Sequence, residues 1–125
     1  MQETITSVFE EFVRSIGGSI QSPEIIRLDI ENKYIFTAEG VNDEEVVMSV
    51  INNDTKSSVE VYEYALNMCR LESRSKLPIR AGLLQDDLLV LSLRVSAEWL
   101  DVTKFYSALR KLVLCHNRIS GVVVL

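Results

Sequence analysis

The hydrophobic period of this chain switches back and forth between that of a helix and that of a strand, and the order of the switches limits the folds open to it. Ile5, Val8, Phe9, Phe12, Val13 and Ile16 fall at offsets 0, 3, 4, 7, 8 and 11, which is one face of an α-helix. Gly17-Gly18 supplies the left-handed position that ends such a helix. The period then drops to two: Ile26, Leu28 and Ile30 alternate with Arg27 and Asp29, Glu31-Asn32 turns, and Tyr34 to Ala38 returns. After Gly40-Val41-Asn42-Asp43, Val46 to Ile51 reads as a third strand with both faces largely apolar, completing an antiparallel meander. Ser57 with Glu60 three residues later forms a capping-box pattern ahead of a second helix. Leu77 to Leu84 and Leu88 to Val95 form a second strand pair around Gln85-Asp86-Asp87. A last helix begins near Asp101, carries Val102, Phe105, Tyr106, Leu109, Leu112, Val113, His116 and Ile119 inward, and stops at Gly121. The predicted order is α-β-β-β-α-β-β-α, an α+β class with helices packed on an antiparallel sheet.

At 125 residues this is a single domain, 1–125, with residues 121–125 an apolar tail. A net charge of −5 argues against a nucleic-acid partner, because such binding rests on Lys and Arg neutralising phosphates. The longest apolar runs are far below the ~20 residues that span a bilayer, and Met1-Gln-Glu-Thr offers no basic start for a signal peptide. The expectation is a cytoplasmic bacterial protein without membrane insertion. Cys69 and Cys115 lack a CxxC spacing and read as reduced, packed thiols.

Residues able to do chemistry are scarce. The single histidine, His116, lies on the apolar stripe of the last helix, where a core or partner-facing role outweighs that of a general base. One His and two distant Cys give no metal spacing, and neither GxGxxG nor GxxxxGK[ST] occurs. Asp43-Glu44-Glu45 and Asp86-Asp87 sit at predicted turns, where solvated charge is the ordinary case. Trp99 reads as a structural plug between the last strand and the last helix. No enzyme activity, cofactor or metal is expected. What the pattern does offer is surplus apolar surface. Val59, Val61, Tyr62, Ala65, Leu66, Met68 and Cys69 cover two adjoining faces of helix two, and Tyr34-Ile35-Phe36 and Val46-Val47-Met48 are apolar on both sides of their strands. Protein partners are the physical inference.

The stretch Leu77-Pro78-Ile79-Arg80-Ala81-Gly82-Leu83-Leu84, followed by Leu89-Val90-Leu91, Leu100 and the last amphipathic helix, resembles the second half of the class I type III secretion chaperones. Phe12, Ile16, Gly17, Ser22-Pro23 and Leu28 resemble the first half of its SycN-like members, which form one subunit of the heterodimeric chaperone for YopN-type gatekeepers. Lys33 to Ser57 matches in pattern only, and Gly121-Val-Val-Val-Leu125 has no counterpart. The resemblance implies a non-enzymatic chaperone that keeps the N-terminal segment of a YopN-like gatekeeper or effector extended and secretion-competent. It also implies a second, YscB-like subunit, a homodimer being the other arrangement. On this reading Val61, Ala65, Met68, Leu89, Leu91 and Leu93 face the partner subunit, while Val8, Val13, Ile35 and Val47 face cargo. The same element order also resembles YbjN-like domains, regulatory adaptors without a secreted cargo.

Overall fold

A computed structural model describes residues 2–16, 19–22, 25–30, 32–42, 44–53, 57–71, 74, 77–85 and 87–123. The elements are α1 (Gln2–Ile16), β1 (Ser19–Ser22), β2 (Ile25–Ile30), β3 (Tyr34–Gly40), β4 (Glu45–Asn52), α2 (Val59–Leu71), β5 (Arg80–Leu84), β6 (Leu88–Ser96) and α3 (Val102–Val123). This is the α+β order read from the sequence with one short strand, β1, added after the first helix. Gly17-Gly18, Pro23, Asp43 and Asp86 lie outside the described residues.

The strands form one antiparallel sheet in the order β1-β2-β3-β4-β6-β5. After α2 the chain reaches the far edge as β5 and returns as β6 to pair with β4, so β1 and β5 are the two sheet edges. Two tight turns hold the hairpins. Asn32 takes a φ of 57° in the β2–β3 turn, where Lys33 N–H donates to the Ile30 carbonyl at 3.0 Å, and Gln85 takes 53° in the β5–β6 turn. Asn reaches this left-handed region more cheaply than Gln does.

Strand alternation gives the sheet two different faces. Ile26, Phe36, Ala38, Val46, Met48, Val50, Leu91 and Leu93 point to the helices and belong to one continuous core. Its centre is aromatic: Phe12 and Phe105 stand 4.3 Å apart between centroids, with Phe9 edge-on to Phe105 at 5.5 Å and Phe36 at 5.8 Å. Such contacts add to area burial in fixing how α1 and α3 sit on the sheet.

Three boundaries differ from expectation, the first two for a local reason. The N-cap of α2 is Ser58, whose Oγ accepts from Val61 N–H at 3.2 Å; Ser57 instead uses its own N–H on the Asp87 carbonyl, so the Ser57–Glu60 box does not form. The strand expected from Leu77 begins at Arg80, because Pro78 has no N–H for the ladder. Helix α3 starts as predicted, with Asp101 Oδ1 accepting from Lys104 N–H at 2.8 Å, but runs two residues past Gly121.

Candidate functional site

His116 is fully buried, and its Nε2 donates to the Val50 carbonyl at 2.6 Å. A carbonyl only accepts, so this bond fixes the Nε2–H tautomer and leaves Nδ1 as a buried lone pair without a partner. Burial is the largest influence on its pKa and, with the nearby charge of Lys33, outweighs the Val50 bond, bringing it down to about 4. A neutral ring wedged between β4 and α3 links two elements and has no room for a substrate. Cys69 and Cys115 are both buried thiols. Among the described residues no group of three or more His, Cys, Asp or Glu could hold a metal ion, and no helix is long and apolar enough to cross a membrane. Trp99 is half-buried against the core with Lys104 Nζ 5.4 Å from its ring centre.

The residues expected at the partner interface require correction. Ala65, Met68, Leu89, Leu91 and Leu93 all lie in the chain's own core, Ala65 and Leu91 with no exposed surface, and Val61 is half-buried against it. Their physical reason is plain: β6 is a central strand, covered on its inner face by helices of the same chain, so its alternating leucines need no second subunit. The surplus on α2 is real but sits elsewhere, on Val59, Leu66 and Leu71, which are 71%, 44% and 80% exposed. Leu83 and Leu84 on the neighbouring edge strand β5 are exposed as well. Exposed apolar side chains thus occur on α2 and on the edge strand β5, Leu83 on the helix side of the sheet and Leu84 on the other.

The four residues expected to meet cargo do not converge. Val13 is a core residue and Val8 packs half-buried against the core, both on the helix side. Ile35 and Val47 point to the opposite face of the sheet, which no helix among the described residues covers. On that face cross-strand pairing aligns Ile35, Ile51, Val90 and Gly82 in a row across β3, β4, β6 and β5. All four are half-buried. A Cβ at Gly82 would meet nothing within 4 Å, so the row ends in open space. A parallel row, Thr37, Ser49, Ser92 and Arg80, is polar. Ile51 and Val90 escaped the sequence reading, although parity shows them: once Val50 and Leu91 face inward, their neighbours face out.

The family described as type III secretory system chaperone SycN matches residues 4–120. Among solved structures, the Yersinia pestis type III secretion chaperone SycH, crystallised with a stable fragment of YscM2, superposes with a TM-score of 0.69 at 20% identity, over 94% of this chain and 98% of its own. SchA in the HopA1–SchA chaperone–effector complex gives 0.68 at 13% identity, over 96% and 93%. YbjN from E. coli gives 0.57 at 12% identity, over 90% and 86%. These likenesses establish a shared fold. No curated protein sequence matches the chain.

Proposed function

The chain belongs to the SycN family of type III secretory system chaperones, and on that premise we propose that it holds the N-terminal segment of a YopN-like secreted gatekeeper in extended form, paired with a YscB-like second subunit. The family match over residues 4–120 carries the reading, and a non-catalytic role fits the description of that family. The outer sheet face offers a place for the cargo: the Ile35–Ile51–Val90 row, with Val47 beyond the polar Thr37–Ser49–Ser92 row, offers apolar positions that an extended chain can cover with alternate side chains. Main-chain pairing at a sheet edge adds affinity, and no nucleotide is required, since burial offsets the roughly 2–5 kcal/mol spent in ordering the segment. The second subunit is assigned to the exposed residues of α2 and β5, Leu66, Leu71, Leu83 and Leu84, in place of the core leucines.

Native mass spectrometry of the complex isolated from the producing cell tests this reading. A small second chaperone and a secreted protein bound through its N-terminus support it. Recovery of the chain alone or as a homodimer, with no secreted protein, would favour an adaptor role like that expected of YbjN-like domains.

A further inference from the structure

Charge on this chain is segregated, and α3 holds a cationic share out of keeping with the rest. Of the 13 Lys and Arg, four lie in α3, and of the 18 Asp and Glu none does, so the rest of the chain has 9 cations against 18 anions. Two of the four are engaged by the chain itself. Lys104 Nζ stands 3.7 Å from Asp101, and Lys111 Nζ donates to the Leu77 carbonyl at 2.8 Å. The other two, Arg110 and Arg118, are exposed, and no carboxylate among the described residues lies within ion-pair distance of either.

Helical spacing sets these two arginines in one line. Arg110, Leu114 and Arg118 follow one another at intervals of four and form a single outward stripe, which Ser107 and Thr103 continue; all five are exposed. The opposite side of the helix, with Phe105, Ala108, Leu112 and Ile119, enters the core. Leu114 is 52% exposed at the middle of the solvent face, where a polar residue is the ordinary choice. Along this stripe runs a recess of about 310 Å³, lined by Ser107, Arg110, Lys111, Leu114, Cys115 and Arg118. An apolar side chain is thus centred between two guanidinium groups whose backbone positions are about 12 Å apart along the axis.

We propose that this stripe docks an acidic amphipathic helix of a partner protein, whose carboxylates about seven or eight residues apart meet Arg110 and Arg118 while an apolar residue between them covers Leu114. Each guanidinium can take a carboxylate through two parallel N–H bonds. The peptide groups of α3 are spent within the helix, so the occupant gains no main-chain hydrogen bonds from it. A second helix makes its own and loses nothing by this, whereas an extended segment loses the hold that strand pairing gives. Helices α1 and α2, both packed against α3, carry exposed Glu10, Glu11, Glu60 and Glu63. A membrane or nucleic acid broad enough to span all three helices meets these carboxylates as well, and one helix laid on α3 does not. Two-fold pairing of the stripe with a second copy sets arginine against arginine. The stripe lies on the solvent side of the helix layer, away from the Ile35–Ile51–Val90 row, and does not rest on the chaperone reading.

Two-dimensional ¹H–¹⁵N NMR of the full chain, titrated at low salt to millimolar peptide, reads both the affinity and its place. The probe is a helical peptide of about 18 residues, built on Ala and Gln with a Glu-x-x-Leu-x-x-x-Glu stripe. Amide shifts are expected along α3 from Thr103 to Arg118. Affinity should fall at least about 10-fold when Lys replaces Glu in the probe, or when Arg110→Glu and Arg118→Glu are combined in the chain with its circular dichroism unchanged. The charge-reversed chain should take the Lys probe about as well as the natural chain takes the Glu probe. Leu114→Ala should weaken binding at least about 3-fold, and salt near about 0.5 M should weaken it too. Absence of shifts on α3, equal affinity for the Glu and Lys probes, or failure of the charge reversal to restore binding overturns the proposal. So does a Glu probe broken by a central Pro that binds as tightly, which gives the stripe to an extended chain. Sedimentation of the natural chain with phosphatidylglycerol vesicles, or self-association of it, that the two Arg→Glu changes abolish also overturns it, in favour of a membrane or a second copy.

Discussion

At the level of single residues, His116 is the side chain with the sharpest consequence. Its folded-state pKa of about 4 lies below the ordinary 6.5, so an unfolded chain takes up the proton first as pH falls. The stability that the neutral ring contributes is fully present above pH 6.5 and is lost between there and pH 4, below which both states are protonated. At pH 5 the loss amounts to about 2 kcal/mol by linkage. His116→Gln keeps a donor for the Val50 carbonyl and removes the titration. Urea unfolding at pH 7 and pH 5 should show a clear drop for the natural chain and a much smaller one for the variant, at a general cost of about 1–3 kcal/mol for altering the core. Equal drops would mean that other groups control acid sensitivity. The sequence placed His116 on the apolar stripe correctly, but the bond that sets its tautomer joins residues 66 positions apart, and periodicity carries no such information.

For whole elements, the pattern was most legible where one period ran long and least where a strand or helix was apolar on two sides. The meander and the second strand pair emerged from alternation and α3 from the helical period, while Pro78 moved the start of β5 and Ser58 that of α2. Helix α2 shows the difficulty. Its two apolar faces were visible in sequence, yet which one met the chain's own sheet depended on how α2 rotates over β5, a tertiary choice. Ala65, Met68 and Cys69 turned out to be the inward set, and Val59, Leu66 and Leu71 the outward one. The two sets separate experimentally. Leu66→Glu combined with Leu83→Glu should leave the fold intact and release the second subunit, read as a fall in sedimenting mass of the complex isolated from the cell. Met68→Glu should instead destabilise the chain itself, by about 3 kcal/mol or more, since an unpaired charge would enter the core. A complex that survives the double change would move the subunit contact away from α2 and β5.

For the molecule as a whole, the decisive property is that, among the described residues, α1, α2 and α3 gather on one side of the sheet and leave its other face uncovered. Each central strand then has an inner apolar row fixed by folding and an outer row free to serve binding. Val13 and Ile35, both expected at the cargo surface, fall on opposite sides of this division. A charge at Val13 enters the core; a charge at Ile35 meets solvent. Replacing Ile35 and Val90 together by Asp therefore should spare the thermal midpoint and weaken cargo binding by at least about 100-fold, since each covered side chain is worth roughly 1.5–3 kcal/mol. Val13→Asp should lower the midpoint sharply, and any binding it loses should follow the unfolded fraction. Calorimetric titration of a peptide from the cargo N-terminus separates the two, and repeating it at about 0.5 M salt separates apolar burial, which survives, from charge pairing, which is screened. Affinity that ignores the Ile35 and Val90 changes yet collapses with salt would transfer the cargo from the apolar row to charged parts of the surface.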